Sequence, residues 1–273
     1  MTDEVRVIER QKHFSFGIME SARRLELLLM LSQRQIASRY RQMLLGVFWA
    51  ALEPLGQLLM LTLVFGFLLK VDTGGYPYPL FAFAGLTAWG LFSRNLLAVA
   101  GCLQDNMGLI SKVYFPRLIL ALAASVKEIF DIAIMLVLLL VVAVAYGYIP
   151  GAKVVVLIPL LMFAGLLSLG LGLWLASLMV RFRDVRPMLG LILQAGMYAS
   201  PILYSPALVP ERLQFYYQLN PMYWVIELSR WGLLDKAVSI TPSFYWSLLL
   251  SIGVIASGLL VFSATEKMAV DVQ

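Results

Sequence analysis

Long apolar runs alternate with short polar joints along most of this chain. Six runs, at about 47–69, 79–101, 118–146, 154–180, 188–204 and 243–264, approach the length a helix needs to cross a hydrocarbon layer of roughly 30 Å. They predict an all-α membrane protein with six transmembrane helices. The third run is longer than a simple span: Lys127, Glu128 and Asp131 fall in its first part, and 132–146 is almost purely apolar. The fifth is short, with Pro201 near its end. Ahead of the first run, a helical reading of 18–40 puts Ile18, Leu25, Leu28, Leu29, Ile36 and Tyr40 on one stripe and Glu20, Arg23, Arg34 and Arg41 opposite. Leu27 and Met30 interrupt the polar face. Such a helix either lies in the membrane surface or packs on other helices of the same protein.

Composition agrees with the pattern. Of 273 residues 61% are hydrophobic and 14% charged, against about 25% charged in ordinary soluble domains. The net charge of +5 serves orientation in such a chain, not nucleic-acid binding. With both termini inside, Lys and Arg number fourteen in the inner segments and five in the outer ones. The positive-inside rule therefore predicts a cytoplasmic amino terminus and carboxyl terminus. The first 46 residues are charged throughout and lack an apolar core with a cleavage site, which reads as no cleaved signal peptide. The chain reads as a single membrane unit over 1–273.

Catalytic and metal chemistry finds little footing. One cysteine, Cys102, excludes an intrachain disulfide framework, and one histidine, His13, cannot build a histidine-rich metal site. No GxxxxGK[ST], HExxH, CxxC or GxSxG occurs. The reading is a non-enzyme with no metal site and no cofactor of its own.

Basic residues gather instead at two inner joints. "MVRFRDVRPML", residues 179–189, carries Arg181, Arg183 and Arg186 around Asp184, then Pro187. Pro187 suits the first turn of a helix, where its missing N–H costs nothing. Asp184 can cap that helix, and Arg181 can pair with Asp184. "NMGLISKVYFPRLIL", residues 106–120, joins the second and third runs and holds Lys112, Tyr114, Phe115, Pro116 and Arg117. Each elbow suits either an acidic groove on a soluble partner or lipid head groups.

"SRYRQMLLGVFWALEPL" from residue 38 (with one extra alanine, at 50–51), "SKVYFPR" at 111–117, "VRFRDVRP" at 180–187 and "LNPMYWVIELSRWGLL" at 219–234 stand in this order along the chain. Together they resemble the type-2 permease family of ATP-binding cassette (ABC) exporters, and within it the permeases that export lipid-linked polysaccharide. The resemblance runs from about residue 30 to 264. "YFPR" with "NPM" is more similar to O-antigen and teichoic acid permeases than to typical capsule ones. The resemblance implies a homodimer in the bacterial inner membrane that works with two copies of a separate ATPase, where ATP and Mg bind. It implies that Lys112, Tyr114, Phe115, Pro116, Arg117, Arg181, Arg183, Asp184 and Arg186 couple to that ATPase, together with the amino-terminal helix. It also implies short re-entrant outer helices within 205–242. That outer stretch is dense in rings: Tyr204, Phe215, Tyr216, Tyr217, Tyr223, Trp224 and Trp231 fall in 201–231, broken up by Pro201, Pro206, Pro210 and Pro221. Ring faces meet the C–H faces of sugars, so these residues form either an outer gate on a glycan path or an interfacial aromatic belt.

Charges inside the runs need partners, since an unpaired charge at membrane depth costs several kcal/mol. Glu53 and Arg94 both fall roughly 10 Å from the inner end of their runs and are expected to form an ion pair or share a polar cavity. Lys127 and Asp131, at i and i+4, are expected to satisfy each other. Ala164, Ser168, Gly172 and Ala176 form a small-residue stripe for close packing, either on another span or on a second copy. Three rivals remain: a drug or small-lipid exporter of the same family, a membrane-embedded glycan or lipid enzyme, and a passive channel.

Overall fold

In the computed structural model, residues 25–40, 48–113, 115–182 and 184–270 are described, and the described residues contain helices and no strand. In chain order they are α1 (Leu25–Tyr40), α2 (Phe48–Leu61, running on as a π-helix over Thr62–Leu68), α3 (Tyr78–Gly101), the short α4 (Met107–Ile110), α5 (Leu118–Ala145), α6 (Leu157–Arg181), α7 (Val185–Tyr198), α8 (Glu211–Gln218), α9 (Pro221–Leu234) and α10 (Pro242–Val270).

α3 is the axis of the bundle. Its apolar window is 78% buried, against 11% for α2 and 17% for the span in α10. The sequence explains this ranking. α3 carries Thr87, Ser93, Arg94 and Asn95 among small residues, so it needs protein partners for its polar atoms. α2 exposes Leu59, Met60, Phe67 and Leu68, a surface that suits lipid or a second apolar helix. Around α3 pack α6, α5, α9 and, at the edge, α7.

Among the described residues, five helices are long and apolar enough to cross a membrane. The expected fifth span at 188–204 takes a different form. α7 has 14 residues, about 21 Å of helix, too short to cross alone. The chain then turns through Ser200, Pro201, Ile202 and Leu203, all buried. Pro201 disfavours helical backbone at the residue before it. Non-helical backbone is tolerated at depth only when protein surrounds it, as here.

The small-residue stripe packs within the chain. Ala164, Ser168, Gly172 and Ala176 are buried on α6, and a Cβ on Gly172 would sit 2.6 Å from the Val99 side chain of α3. Asn95 of α3 donates to the Gly165 carbonyl at 3.1 Å and to Ser168 Oγ at 2.8 Å. Two further glycines let α6 meet α10: a Cβ on Gly258 would overlap the Gly170 carbonyl oxygen, backbone against backbone. Gly258→Val therefore forces these helices apart. The expected result is a loss of about 1–3 kcal/mol, seen as a lower melting temperature of the detergent-solubilised protein, whereas Gly253→Ala, which opens onto free space, changes little.

α1 packs on other helices of the same chain, the second of the two readings of the amino-terminal helix. Leu31 and Ser32 are buried, and Leu27 and Leu28 pack with Leu31 on a core that includes Phe115, Leu118 and Ile119. Leu27, which breaks the polar face in the sequence, is thus a docking residue. Leu25, Leu29 and Met30 stay exposed on the other side. The part of the expected helix ahead of Leu25 lies outside the described residues.

Candidate functional site

One end of the bundle carries both basic elbows. α3 stops at Gly101 and the chain turns through Gln104–Asn106 into α4. α6 stops at Arg181, and α7 starts with Asp184 at its cap position and Pro187 in its first turn. The elbows are clasped: Arg186 Nη1 donates to Asp105 Oδ1 at 2.7 Å and Nη2 to Oδ2 at 3.2 Å. Gln104 adds a hydrogen bond to the Met179 carbonyl at 2.6 Å. A bidentate guanidinium–carboxylate pair fixes orientation as well as distance. The carboxylate, first through its hydrogen bonds and then through its charge, holds Arg186 above its ordinary value. Gly101 makes the room: a Cβ there would stand 3.0 Å from Asp105 Oδ2 and 3.4 Å from Arg186 Nη2.

The coupling residues expected from the sequence divide into classes. Lys112 and Arg181 are exposed on this end. Phe115 and Pro116 are buried and anchor the elbow in the core, and Arg117 is half-buried. Asp184 makes no capping hydrogen bond and does not pair with Arg181. Arg181 instead has its guanidinium 6.0 Å from the Phe182 ring. Tyr114 and Arg183 lie outside the described residues. Asp105 was missed by sequence reasoning, although it is the one carboxylate in an otherwise basic elbow.

A second polar cluster sits about two turns further into the bundle. Arg39 of α1 meets Asp131 at 2.7 Å and Glu128 at 3.8 Å. Lys127 meets Glu128 at 2.7 Å, and Arg94 Nε stands 3.8 Å from Glu128 Oε2. The expected Glu53–Arg94 pair is therefore corrected: Arg94 turns to Glu128. Glu53 points away on the exposed face of α2 and makes no ion pair among the described residues. Their depths match but their facing does not. The expected Lys127–Asp131 pair is likewise replaced, since Lys127 takes its neighbour Glu128 and Arg39 takes Asp131.

The opposite end holds the aromatic segment. Here Arg230 of α9 is fully buried. Its Nε donates to the Phe81 carbonyl at 3.1 Å, Nη2 to the Ile202 carbonyl at 3.0 Å, and Nη1 to Glu227 at 2.6 Å. Its guanidinium lies 3.4 Å from the centre of the Phe81 ring. Lys236 takes the other Glu227 oxygen at 3.1 Å. One arginine thus ties α9 to the first turn of α3 and to the buried turn after α7. Glu227 and Arg230 lie within a quoted motif; the signal that finds them is an acid and a base at i and i+3 in an apolar helix.

The expected gate rings form a relay rather than a free belt. Tyr217 donates to Tyr204 at 3.3 Å, and Tyr204 donates to the Tyr198 carbonyl at 2.9 Å. Edge-to-face contacts link Tyr217 to Tyr223 at 5.5 Å, Tyr223 to Trp224 at 5.0 Å and Trp224 to Phe244 at 5.2 Å. Tyr223 and Trp224 are buried; Phe215 and Tyr216 are exposed. Trp231 lies 5.5 Å beneath the Lys153 ammonium. An open pocket of about 210 Å³ is lined by Pro206, Ala207, Gln214, Tyr217, Gln218 and Tyr223.

Known proteins share this layout of sequence. Residues 26–234 match the family model described as ABC-2 type transporter. The O-antigen export system permease protein RfbA of Myxococcus xanthus is 30% identical over 198 residues, 72% of this chain and 75% of that one. The polysialic acid transport protein KpsM of Escherichia coli is 25% identical over 235 residues, 86% of this chain and 91% of that one. The capsule polysaccharide export inner-membrane protein CtrC of Neisseria meningitidis serogroup A is 22% identical over 244 residues, 87% and 90% of the two chains. Membrane-length helices, paired elbows at one end and a family match across most of the length lead to one conclusion: the chain belongs to the ABC-2 type transporter family.

Proposed function

We propose that this chain is the permease half of an ATP-driven exporter of lipid-linked polysaccharide, with O-antigen the first candidate cargo and capsule or teichoic acid the next. It acts as a homodimer in the bacterial cytoplasmic membrane, with the elbow end and both termini in the cytoplasm. Two copies of a separate ATPase bind ATP and Mg and press on the elbows. The observation that carries this reading is the Asp105–Arg186 clasp, which joins two elbows 81 residues apart into one basic platform.

The geometry supplies a route for force. The platform sits at one end of α3, where Asp105 follows Gly101 by four residues. At the other end of α3, Phe81 receives Arg230 of α9. α3 has 24 residues, about 36 Å of helix, and its central position leaves it little room to bend. Movement of the platform is thereby carried to α9 and the aromatic segment. Sugars passing there meet ring faces for their C–H surfaces and the pocket's Gln214 and Gln218 for their hydroxyls. The exposed apolar faces of α2 and α10 are left for lipid and the second copy.

Purification of the tagged full chain from its own membranes tests the reading. An ATP-binding subunit is expected in equal amount, and loss of the chain is expected to leave lipid-linked glycan inside the cell and the surface bare. Reversing two exposed cations outside the clasp, Lys112→Glu with Arg181→Glu, is expected to reduce ATPase recovery roughly tenfold. A particle without any ATP-binding subunit, or normal surface glycan after deletion, refutes it.

A further inference from the structure

The charged cluster of α1, α3 and α5 is more than a set of mutual neutralisations. Among the described residues, three cations, Arg39, Arg94 and Lys127, surround two carboxylates, Glu128 and Asp131, one more positive charge than negative. The arrangement is layered. The carboxylate side chains are 3% and 4% exposed, while Arg39, Arg94 and Lys127 are 26%, 27% and 20% exposed. The acids lie beneath and the cations form a rim open to the outside.

Within that rim Arg94 is under-used. A guanidinium has five N–H donors. Its contacts are Met135 Sδ at 2.7 Å, a weak acceptor, and Glu128 across a loose 3.8 Å. Its Nε and the Glu128 Oε2 it faces are both buried without a hydrogen-bond partner, so the pair is a loose one. Asp131 holds Arg39 and Glu128 holds Lys127 at 2.7 Å each, whereas Arg94 has no carboxylate closer than 3.8 Å, so Arg94 is the cation least committed to an internal anion. Gly90, one turn before it, leaves the space beside its Nη2 clear of any side chain of its own. Arg94 lies seven residues from the elbow end of α3, about 10 Å along the helix, near the depth at which lipid head groups give way to acyl chains. A planar guanidinium backed by a lysine and a second arginine matches the oxygens of a phosphate group.

We infer that this rim is a docking site for the phosphate head group of a lipid, with Arg94 as its principal ligand and Lys127 and Arg39 as supports. The inference rests on the proposed transport reading only for the side of the membrane it assigns. The same chemistry has two sources, the phosphate of a carrier lipid bearing cargo and that of bulk phospholipid.

The full chain in phosphatidylcholine nanodiscs is titrated with farnesyl diphosphate, with phosphatidic acid incorporated at rising mole fraction, and with inorganic pyrophosphate, with occupancy read by native mass spectrometry. Saturable occupancy by a lipid phosphate is expected, about tenfold weaker in Arg94→Gln, with part of the loss restored in Arg94→Lys. Glu128→Gln removes the competing internal anion and is expected to tighten binding severalfold. A merely structural cluster predicts the opposite, that both neutral variants lose occupancy together. Farnesyl diphosphate saturating where phosphatidic acid does not assigns the site to a carrier lipid; equal behaviour assigns it to bulk phospholipid. Wild type and Arg94→Gln binding alike, Glu128→Gln weakening binding as much as Arg94→Gln, or pyrophosphate binding as tightly as the prenyl compound overturns the inference. Should occupancy follow the expected pattern while cells lacking the chain still display their polysaccharide, the head-group site stands and the cargo reading falls.

Discussion

Arg230→Met is expected to be among the most damaging single substitutions in this chain. The wild-type guanidinium has no exposure and satisfies two backbone carbonyls, Phe81 and Ile202, together with the Glu227 carboxylate. Methionine fills a similar volume but donates nothing. Glu227, 5% exposed, is then left with Lys236 alone. Breaking a buried pair by removing one partner costs about 3–5 kcal/mol, because the remaining charge stays buried. The measurement is the melting temperature of the purified protein in detergent, with protease sensitivity of the 201–242 segment as a local readout.

Companion variants separate this mechanism from simple loss of packing. Arg230→Lys keeps the charge and is expected to remain badly destabilised, since an ammonium cannot reach three acceptors spread about a plane. Arg230→Met combined with Glu227→Met is expected to be less damaging than the sum of the two single changes, because the double variant leaves neither member of the buried Arg230–Glu227 pair charged without the other. A melting temperature for Arg230→Met within a degree or two of wild type would show that the latch does not hold α9. So would strict additivity in the double variant.

The contrast between what local pattern encodes and what it leaves open runs through this fold. The apolar runs were legible because membrane crossing imposes a length on each segment independently of the others. α7 departed from that rule because Pro201 and the buried turn after it belong to a segment that need not satisfy its own backbone, provided neighbours enclose it. The docking side of α1 was ambiguous for a similar reason. Leu27 and Leu31 face protein and Leu25 and Leu29 face outward, and hydropathy scores both sides alike.

Site residues follow the same division. That basic residues cluster at two joints is visible in composition, and the positions of the elbows were read from it. Which acid clasps which base is not, because Asp105 and Arg186 are 81 residues apart and Arg230 and Phe81 are 149 apart. Depth matched Glu53 with Arg94, yet at 3.6 residues per turn a one-residue change moves a side chain about 100° around its helix. Glu53 faces outward from α2, and Arg94 finds Glu128 of α5. The rings of 201–231 were identified as a group; that Tyr223 and Trp224 are buried anchors while Phe215 and Tyr216 face out depends on α8 and α9 packing.

Exchanging the charges of the elbow clasp is the second experiment with a large expected effect, and its logic differs from that of Arg230. Asp105 and Arg186 are each 50% exposed, and an exposed pair contributes about 0–1 kcal/mol to stability. Asp105→Arg and Arg186→Glu are therefore expected to leave the melting temperature nearly unchanged. Each sets like charges against each other where a bidentate pair had held the two elbows in one orientation. A platform that receives force from an ATPase loses transmission when its halves move independently. Export, read as glycan appearing outside the cell per ATP hydrolysed, is expected to fall roughly tenfold in each single variant, corresponding to about 1.4 kcal/mol of lost coupling. The double exchange restores opposite charges with the geometry reversed, and is expected to recover most of that loss. Gly101→Val gives an independent test without altering any charge: its side chain intrudes beside Asp105 Oδ2 and Arg186 Nη2 and should impair export while the ATPase still binds. If the single variants export normally, the elbows act separately and α3 is not driven through their junction. If the double exchange stays as impaired as the singles, then Asp105 and Arg186 each serve a contact with the partner, and the clasp between them is incidental to transport.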